Sequence, residues 1–354
     1  MMRTINIGER KIGEGQPVFI IAELSANHRQ NYGVAVETVK AAKRCGADAV
    51  KLQTYTPDTL TLDSDAPCFQ IKNGSPWDGR TLYQLYKEAY TPWEWQPKLK
   101  QVAEDLGLIC FSSPFDPTAV DFLEKMQVPA YKIASFEITD IPLIAYVASK
   151  GKPVILSTGI AGREDIVEAI AACKRMGNDD IALLKCTSSY PTPLDAVNLR
   201  TLVDMIKTFR TVTGVSDHTL GISVPVAAVA LGAKIIEKHL ILEKSLGGPD
   251  AAFSLSPDAF GAMVASVREA ETALGEVRYA LSEGAIKNRL FARSLFVVED
   301  MKAGERFTEA NFRSIRPGEG LHPKYRPQIL GRRSRANIAK GTPLCWDLIE
   351  EVEP

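Results

Sequence analysis

Eight short, apolar, β-branched runs recur along the chain, and most are followed by a stretch long enough for a helix. They are VFIIAEL (18–24), ADAVKLQT (47–54), LICFSSP (108–114), AYKIAS (130–135), KPVILST (152–158), DIALLKCTS (180–188), TVTGVSDH (211–218) and KIIEKHLIL (234–242). The intervening segments, such as VAVETVKAAKRCG and EDIVEAIAACKRMG, carry apolar residues at the i, i+3, i+4 spacing of an amphipathic helix. This alternation is the signature of βα units on a parallel sheet, and eight is the number that closes a barrel. A doubly wound open sheet also accommodates eight strands, but no GxGxxG follows the first run and no long break marks a reversal of the sheet. The expectation is therefore α/β, a (β/α)8 TIM barrel.

Such a barrel uses roughly 250 residues, and the chain has 354. The βα rhythm stops near residue 278, so the sequence divides into a barrel (1–278), a charged linker (279–293) and a small all-β domain (294–354) whose short strands are punctuated by KAGE and AKGT turns. The C-terminal part is basic, with 13 Lys/Arg against 6 Asp/Glu between Ser282 and Cys345. The whole chain has net charge −1, so it offers no overall field for nucleic acid or a membrane, and neither is an expected partner. With 45% hydrophobic and 24% charged residues, disorder, collagen and coiled coil are excluded. The six scattered cysteines form no CxxC pair and read as reduced core residues. No signal-peptide pattern or membrane-length apolar run is seen, which makes a cytoplasmic protein the expectation.

The chemistry is read from where polar residues fall, because each apolar run ends in groups a simple core would not choose. Glu23 ends the first, with Asn27 and His28 beyond it; Lys51 and Gln53 end the second, Ser112 and Ser113 the third. Lys132, Ser135 and Glu137 follow in the fourth, Ser157 and Thr158 in the fifth, Ser188 and Tyr190 after the sixth, Ser216, Asp217 and His218 in the seventh, and Glu237 and His239 in the eighth. In a barrel these ends share one mouth. A lone serine there is commonly a helix cap and a lone lysine a solvated side chain, but eight strands ending this way point to an active site. Two lysines with many hydroxyls suit a small phosphorylated carboxylate. His218 and His239, on neighbouring strands, suit a divalent metal in an open site, for which Mn²⁺, Co²⁺ or Zn²⁺ would serve. Glu23 and Glu137 are candidate acid/base groups, expected to stay ionised beside the lysines. The long insertion from Tyr55 to about Arg80 follows the second strand and so lies on the same face.

The motifs IAELSANH, VKLQT, FSSPFD, AYKIASFE, PVILSTG, KCTSSYPTP, SDHTLG, EKH and GGPD, with SIRPGEGL near the C-terminus, occur in order over nearly the whole chain. Together they resemble the sialic acid synthases. The phrases FEITDIPLI, SLGGPDAAFSL and RSIRPGEGLHPKY are similar to one subfamily that acts on a different sugar. The resemblance implies a barrel joined to an antifreeze-like (SAF, β-clip) domain, and condensation of phosphoenolpyruvate with an open-chain amino sugar. It also implies phosphoenolpyruvate contacts at Lys51, Ser113, Lys132, Ser135, Ser157, Ser188 and Ser216, metal ligands at His218 and His239, and a divalent cation, Mn²⁺ first, with Co²⁺, Mg²⁺ or Zn²⁺ as alternatives. Sugar contacts are implied at Gln53, Tyr190, Asp250 and Arg316, the last reaching the mouth of a second subunit in a domain-swapped homodimer.

The resemblance further assigns Glu23 first and Glu137 second to guiding water, with Lys51 and Lys132 acting as charges rather than nucleophiles. Ser188 and Ser113 stand where N-acetylneuraminate synthases have Asn and Thr, and the 55–80 loop departs from the sialate pattern, which is consistent with a different sugar. Three alternatives stay open at this stage. They are the same chemistry leading to N-acetylneuraminic or legionaminic acid, a Schiff-base aldolase using Lys51 or Lys132, and a non-catalytic barrel carrying a carbohydrate-binding SAF module.

Overall fold

A computed structural model describes residues 4–351. The chain opens with a hairpin, β1 (Ile5–Ile7) and β2 (Arg10–Ile12), that turns at Gly8, whose φ of +57° favours a residue without Cβ. The eight expected runs form β3 (Phe19–Glu23), β4 (Ala49–Thr54), β5 (Ile109–Pro114), β6 (Tyr131–Ile133), β7 (Val154–Ser157), β8 (Ile181–Cys186), β9 (Val212–Asp217) and β10 (Ile235–His239). All neighbours are parallel, and β10 pairs with β3 to close the barrel.

Helices follow the strands, and several of them start where a side chain satisfies free backbone N–H groups. Asn31 caps Tyr32–Arg44, and Asp116 caps Pro117–Lys125, which begins with proline at its first position. The lumen is apolar at its lower end, where Phe19, Ile21, Ala49 and Phe111 pack with Ile5, Ile7 and Ile12 of the hairpin. The hairpin thus plugs the end of the barrel at which the strands begin. The sequence reading did not identify it, because two three-residue strands carry little periodic signal.

The chain divides into two compact units, residues 1–275 and 276–354. The second unit starts with a short helix, Glu283–Asn288, inside the segment read as a linker. Two antiparallel strands follow, β11 (Ser294–Val297) and β12 (Phe312–Ile315), and its core gathers Leu295, Phe307, Phe312, Ile329 and Leu344. All six cysteines are free; Cys110, Cys173 and Cys186 are buried, while Cys68 and Cys345 are exposed, unlike core residues. Among the described residues no helix is long and apolar enough to cross a membrane.

Candidate active site

Strand register converts the linear pattern into a charged ring. Glu23 on β3 lies beside Lys51 on β4 and His239 on β10, and Glu237 lies beside Ser216 on β9. Because strand side chains alternate, Glu237 and His239 face the lumen while Lys238 between them turns outward. There Lys238 is fully buried and forms an ion pair with Asp217 across β9 and β10 at 2.5 Å. The strand ends surround a cavity of about 380 Å³, lined by Glu23, Lys51, Gln53, Lys132, Ser135, Glu137, Ser157, Tyr190, Ser216, His218, His239 and Asp250 among others. With Glu237, thirteen of the residues singled out in the sequence therefore meet in one place.

Lys51 is paired with Glu23 and lies 3.7 Å from Glu237, which is also 3.7 Å from Lys132. Burial opposes ionisation of Glu237, but the two lysines outweigh it and hold its carboxyl below the usual value. For Glu23 burial wins over Lys51, and its pKa is pushed up to about 7. Burial likewise pushes Glu137 up to about 7 against the pull of Lys132. The expectation that both candidate bases stay fully ionised is thus corrected. Desolvation divides the carboxylates, leaving one fixed counter-ion and two groups able to exchange a proton near neutrality.

Beside the lysines lies a cradle of hydroxyls. The Oγ atoms of Ser157 and Ser188 are buried without a hydrogen-bond partner, and Ser135 accepts from the Gly159 N–H at 3.2 Å. A Cβ at position 159 would collide with the Ser188 hydroxyl and lie 2.6 Å from that of Ser135. Unpartnered hydroxyls and a backbone kept bare beside two ammonium groups form a site for an oxyanion. Ser113 is placed differently. It is fully buried behind Lys51, whose Nζ donates to it at 3.4 Å, and it does not reach the cavity wall.

His218 and His239 lie side by side along the wall, with ring centroids 5.2 Å apart and planes tilted by 55°. His239 Nδ1 is buried with no hydrogen-bond partner, and Asp250 Oδ2 is 3.7 Å from it. Burial and the neighbouring cations push His239 well below the usual range, so its imidazole is neutral and has a lone pair to give. Among the described residues no group of three His, Cys, Asp or Glu side chains is arranged to hold a metal. Two imidazoles with an unused nitrogen still fit an open site completed by water or substrate oxygens. His218 Nδ1 lies 3.7 Å from Cys186 Sγ. His28, by contrast, is structural; it is buried against Trp95 and within 3.2 Å of Thr91.

The opposite wall is apolar and comes from the insertion after β4. Trp77 donates its indole N–H to the Pro249 carbonyl at 2.8 Å and packs on Tyr190, 5.6 Å between centroids, which in turn packs on His218 at 4.5 Å. Asp250, next to Pro249, accepts from the Ala26 N–H at 3.3 Å. Gln53 donates to Ser25 at 2.9 Å and to Glu23 at 3.2 Å. Arg316 is exposed in the second unit.

Residues 38–279 match the model of the NeuB family and residues 292–350 that of the SAF domain. The chain belongs to the NeuB family. It is 49% identical to the pseudaminic acid synthase of Campylobacter jejuni, over 92% of this chain and 95% of that one. To the pseudaminic acid synthase of Helicobacter pylori it is 47% identical, over 95% of this chain and 98% of that one. The crystal structure of N-acetylneuraminic acid synthetase from Leptospira borgpetersenii is similar at a TM-score of 0.73 and 30% identity, covering 81% of this chain and 95% of that one.

Within this NeuB-family site, sequence reasoning gave no role to two residues that the structure makes central. Glu237 stands two residues before His239 in IIEKH, and that spacing marks it as lumenal by alternation. Trp77 left no such signal, because its loop has no period and its partner, Pro249, is 172 residues away.

Proposed function

We propose that this NeuB-family protein is a pseudaminic acid synthase. It is a transferase that condenses phosphoenolpyruvate with open-chain 2,4-diacetamido-2,4,6-trideoxy-L-altrose and water, giving pseudaminic acid and phosphate. The observation that carries this reading is near full-length identity of 49% to one such enzyme, in a chain whose strand ends assemble two lysines, a hydroxyl cradle and two histidines around one cavity. The 30% identity to an N-acetylneuraminic acid synthetase makes that alternative sugar the weaker reading.

Lys51 and Lys132, with the hydroxyls of Ser135, Ser157, Ser188 and Ser216, hold the phosphate and carboxylate of phosphoenolpyruvate; Ser113 contributes by fixing Lys51. Gln53, Tyr190 and Asp250 orient the sugar so that C3 of the enol attacks the aldehyde carbon. As that bond forms, positive charge develops at C2, and the ionised Glu237 beside both lysines stabilises it. Glu23, or in second place Glu137, accepts a proton from the water that adds to C2. The tetrahedral centre then releases phosphate by C–O cleavage. His218 and His239 would hold a divalent cation, Mn²⁺ by preference, with Co²⁺, Mg²⁺ or Zn²⁺ as alternatives, and when bound it supplies Lewis-acid polarisation of the aldehyde oxygen.

Arg316 reaches the mouth of a partner subunit in a domain-swapped homodimer. The protein works in the cytoplasm, in a route to surface glycan or flagellin modification. Burial lowers the Lys132 pKa, with Glu237 opposing the shift, the one feature favouring a Schiff base. Borohydride treatment during turnover is expected to trap no adduct.

The test is phosphate release from phosphoenolpyruvate with Mn²⁺ and each candidate amino sugar. Turnover of the diacetamido trideoxy sugar is expected. Turnover of N-acetylmannosamine alone would show the reading to be wrong.

A further inference from the structure

The cavity has two chemically distinct ends. The reacting end holds the lysines, carboxylates and histidines of the strand ends. The other end is built by residues 55–89, whose lining side chains include Tyr55, Leu60, Ile71, Trp77, Leu85 and Tyr86 and no charged group; Asn73 is the one amide. An aldehyde must meet the enol beside the lysines, so C1 of the sugar lies at the charged end. In an extended six-carbon chain, C4 to C6 then reach toward residues 55–89.

This wall is built to stay in place. Asp78 accepts from the backbone N–H groups of Asn73, Gly74 and Ser75 at 3.0 to 3.2 Å. The loop pairs Gln70 with Thr81, and Thr81 starts the helix Leu82–Ala89 with a capping box. Arg80 and Arg29 both bind Glu88 of that helix. Trp77 is held at one edge by the Pro249 carbonyl and on one face by Tyr190. Its position is therefore set by contacts within the protein, to Pro249 and Tyr190, and not by a substrate.

We infer that Trp77 and the apolar wall around it determine sugar specificity, admitting the C6 methyl and C4 acetamido group of a 6-deoxy amino sugar and disfavouring a hydroxyl at C6. The inference rests on the functional reading above and deepens it. A C6 hydroxyl set against Trp77, Leu60 and Ile71 loses its water, and the polar groups lining this end are only the Asn73 amide and the Tyr55 and Tyr86 phenols, whereas a methyl loses nothing. A C4 acetamide keeps a polar partner in Asn73 while its methyl packs on the wall. An apolar pocket discriminates modestly against an added hydroxyl, by about 10- to 100-fold.

The experiment compares kcat/KM for two matched pairs of sugars. One pair is the diacetamido trideoxy sugar and its 6-hydroxy counterpart; the other is N-acetylmannosamine and its 6-deoxy analogue. The wild-type protein is expected to favour the 6-deoxy member by about 10- to 100-fold. Trp77→Ala should cut that preference to about threefold or less while KM for phosphoenolpyruvate moves less than about twofold. Trp77→Phe should restore most of the preference. Leu60→Asn, which leaves the Trp77 anchor alone, should erode it as well, and it reads the wall if Trp77→Ala fails to fold.

A preference that survives in both Trp77→Ala and Leu60→Asn would overturn the inference. So would a rise in KM for phosphoenolpyruvate that matches the rise for sugar. If neither diacetamido sugar is turned over, the functional reading fails, while the N-acetylmannosamine pair still reports on the wall. Turnover of no sugar at all would bring down both.

Discussion

The two walls of the cavity are made in opposite ways. One consists of strand ends, where a barrel's register puts Glu23, Lys51, Glu237 and His239 within reach of one another with no choice left to loops. The other is an insertion that needed its own hydrogen-bonded frame, centred on Asp78 and Glu88, to hold Trp77 in place. Chemistry is assigned to the wall that the fold makes rigid. Selection of the sugar is assigned to the wall that can change without disturbing the barrel.

Substitutions should therefore separate by wall. The largest effect is expected for His218→Ala, which removes one of the two imidazoles. Turnover should fall by about 10³-fold or more, and equilibrium dialysis should show weaker Mn²⁺ binding. Unchanged turnover would remove the metal site from the account. Glu23→Gln keeps the shape and the hydrogen bond from Gln53 but takes away the proton acceptor. A loss of about 10²-fold in kcat is expected, with KM for either substrate nearly unchanged. Should Glu137→Gln show that loss instead, the order of the two candidates is reversed.

Glu137 also gives a pH signature. Its carboxyl is raised when folded, from 4.5 to about 7, so its contribution to stability is complete below the unfolded value and is lost as pH climbs through about 7. Between pH 5 and 8 the wild-type protein should lose about 1–3 kcal/mol of stability that Glu137→Gln does not lose, as read by denaturant melts at the two pH values. Equal losses in both proteins would mean that the site is too wet to shift the group.

The smallest effect belongs to the other wall. Asp78→Ala releases three backbone N–H groups of an exposed loop, and a rise of about threefold to tenfold in KM for sugar is expected, with kcat and KM for phosphoenolpyruvate held. A fall in kcat instead would show that the insertion also shapes the reacting end.

What was legible in the sequence follows the same division. A strand buried on both faces is normally apolar, so each Lys, Glu or His at the end of such a run stands out. Residues such as Lys132 and His239 could thus be assigned to the mouth without coordinates. Ser113 shows the limit of that argument, because alternation puts it in the lumen but cannot show that Lys51 lies in front of it. Ionisation was not legible either. The balance between burial and Lys51 that raises Glu23, and the pair of lysines that lowers Glu237, depend on depth and distance rather than on order in the chain. The insertion was recognised as a loop on the catalytic face, but not Trp77, whose anchor lies far along the sequence on another loop.

The central claim, that the strand-end wall adds water to C2 and expels phosphate intact, is tested most directly by phosphoenolpyruvate carrying ¹⁸O in the oxygen that bridges C2 and phosphorus. With the diacetamido trideoxy sugar and Mn²⁺, mass spectrometry should find the label in the released phosphate and solvent oxygen at C2 of the nine-carbon product. Label retained at C2 would mean that water attacks phosphorus, and would contradict the roles given to Glu23 and the cavity.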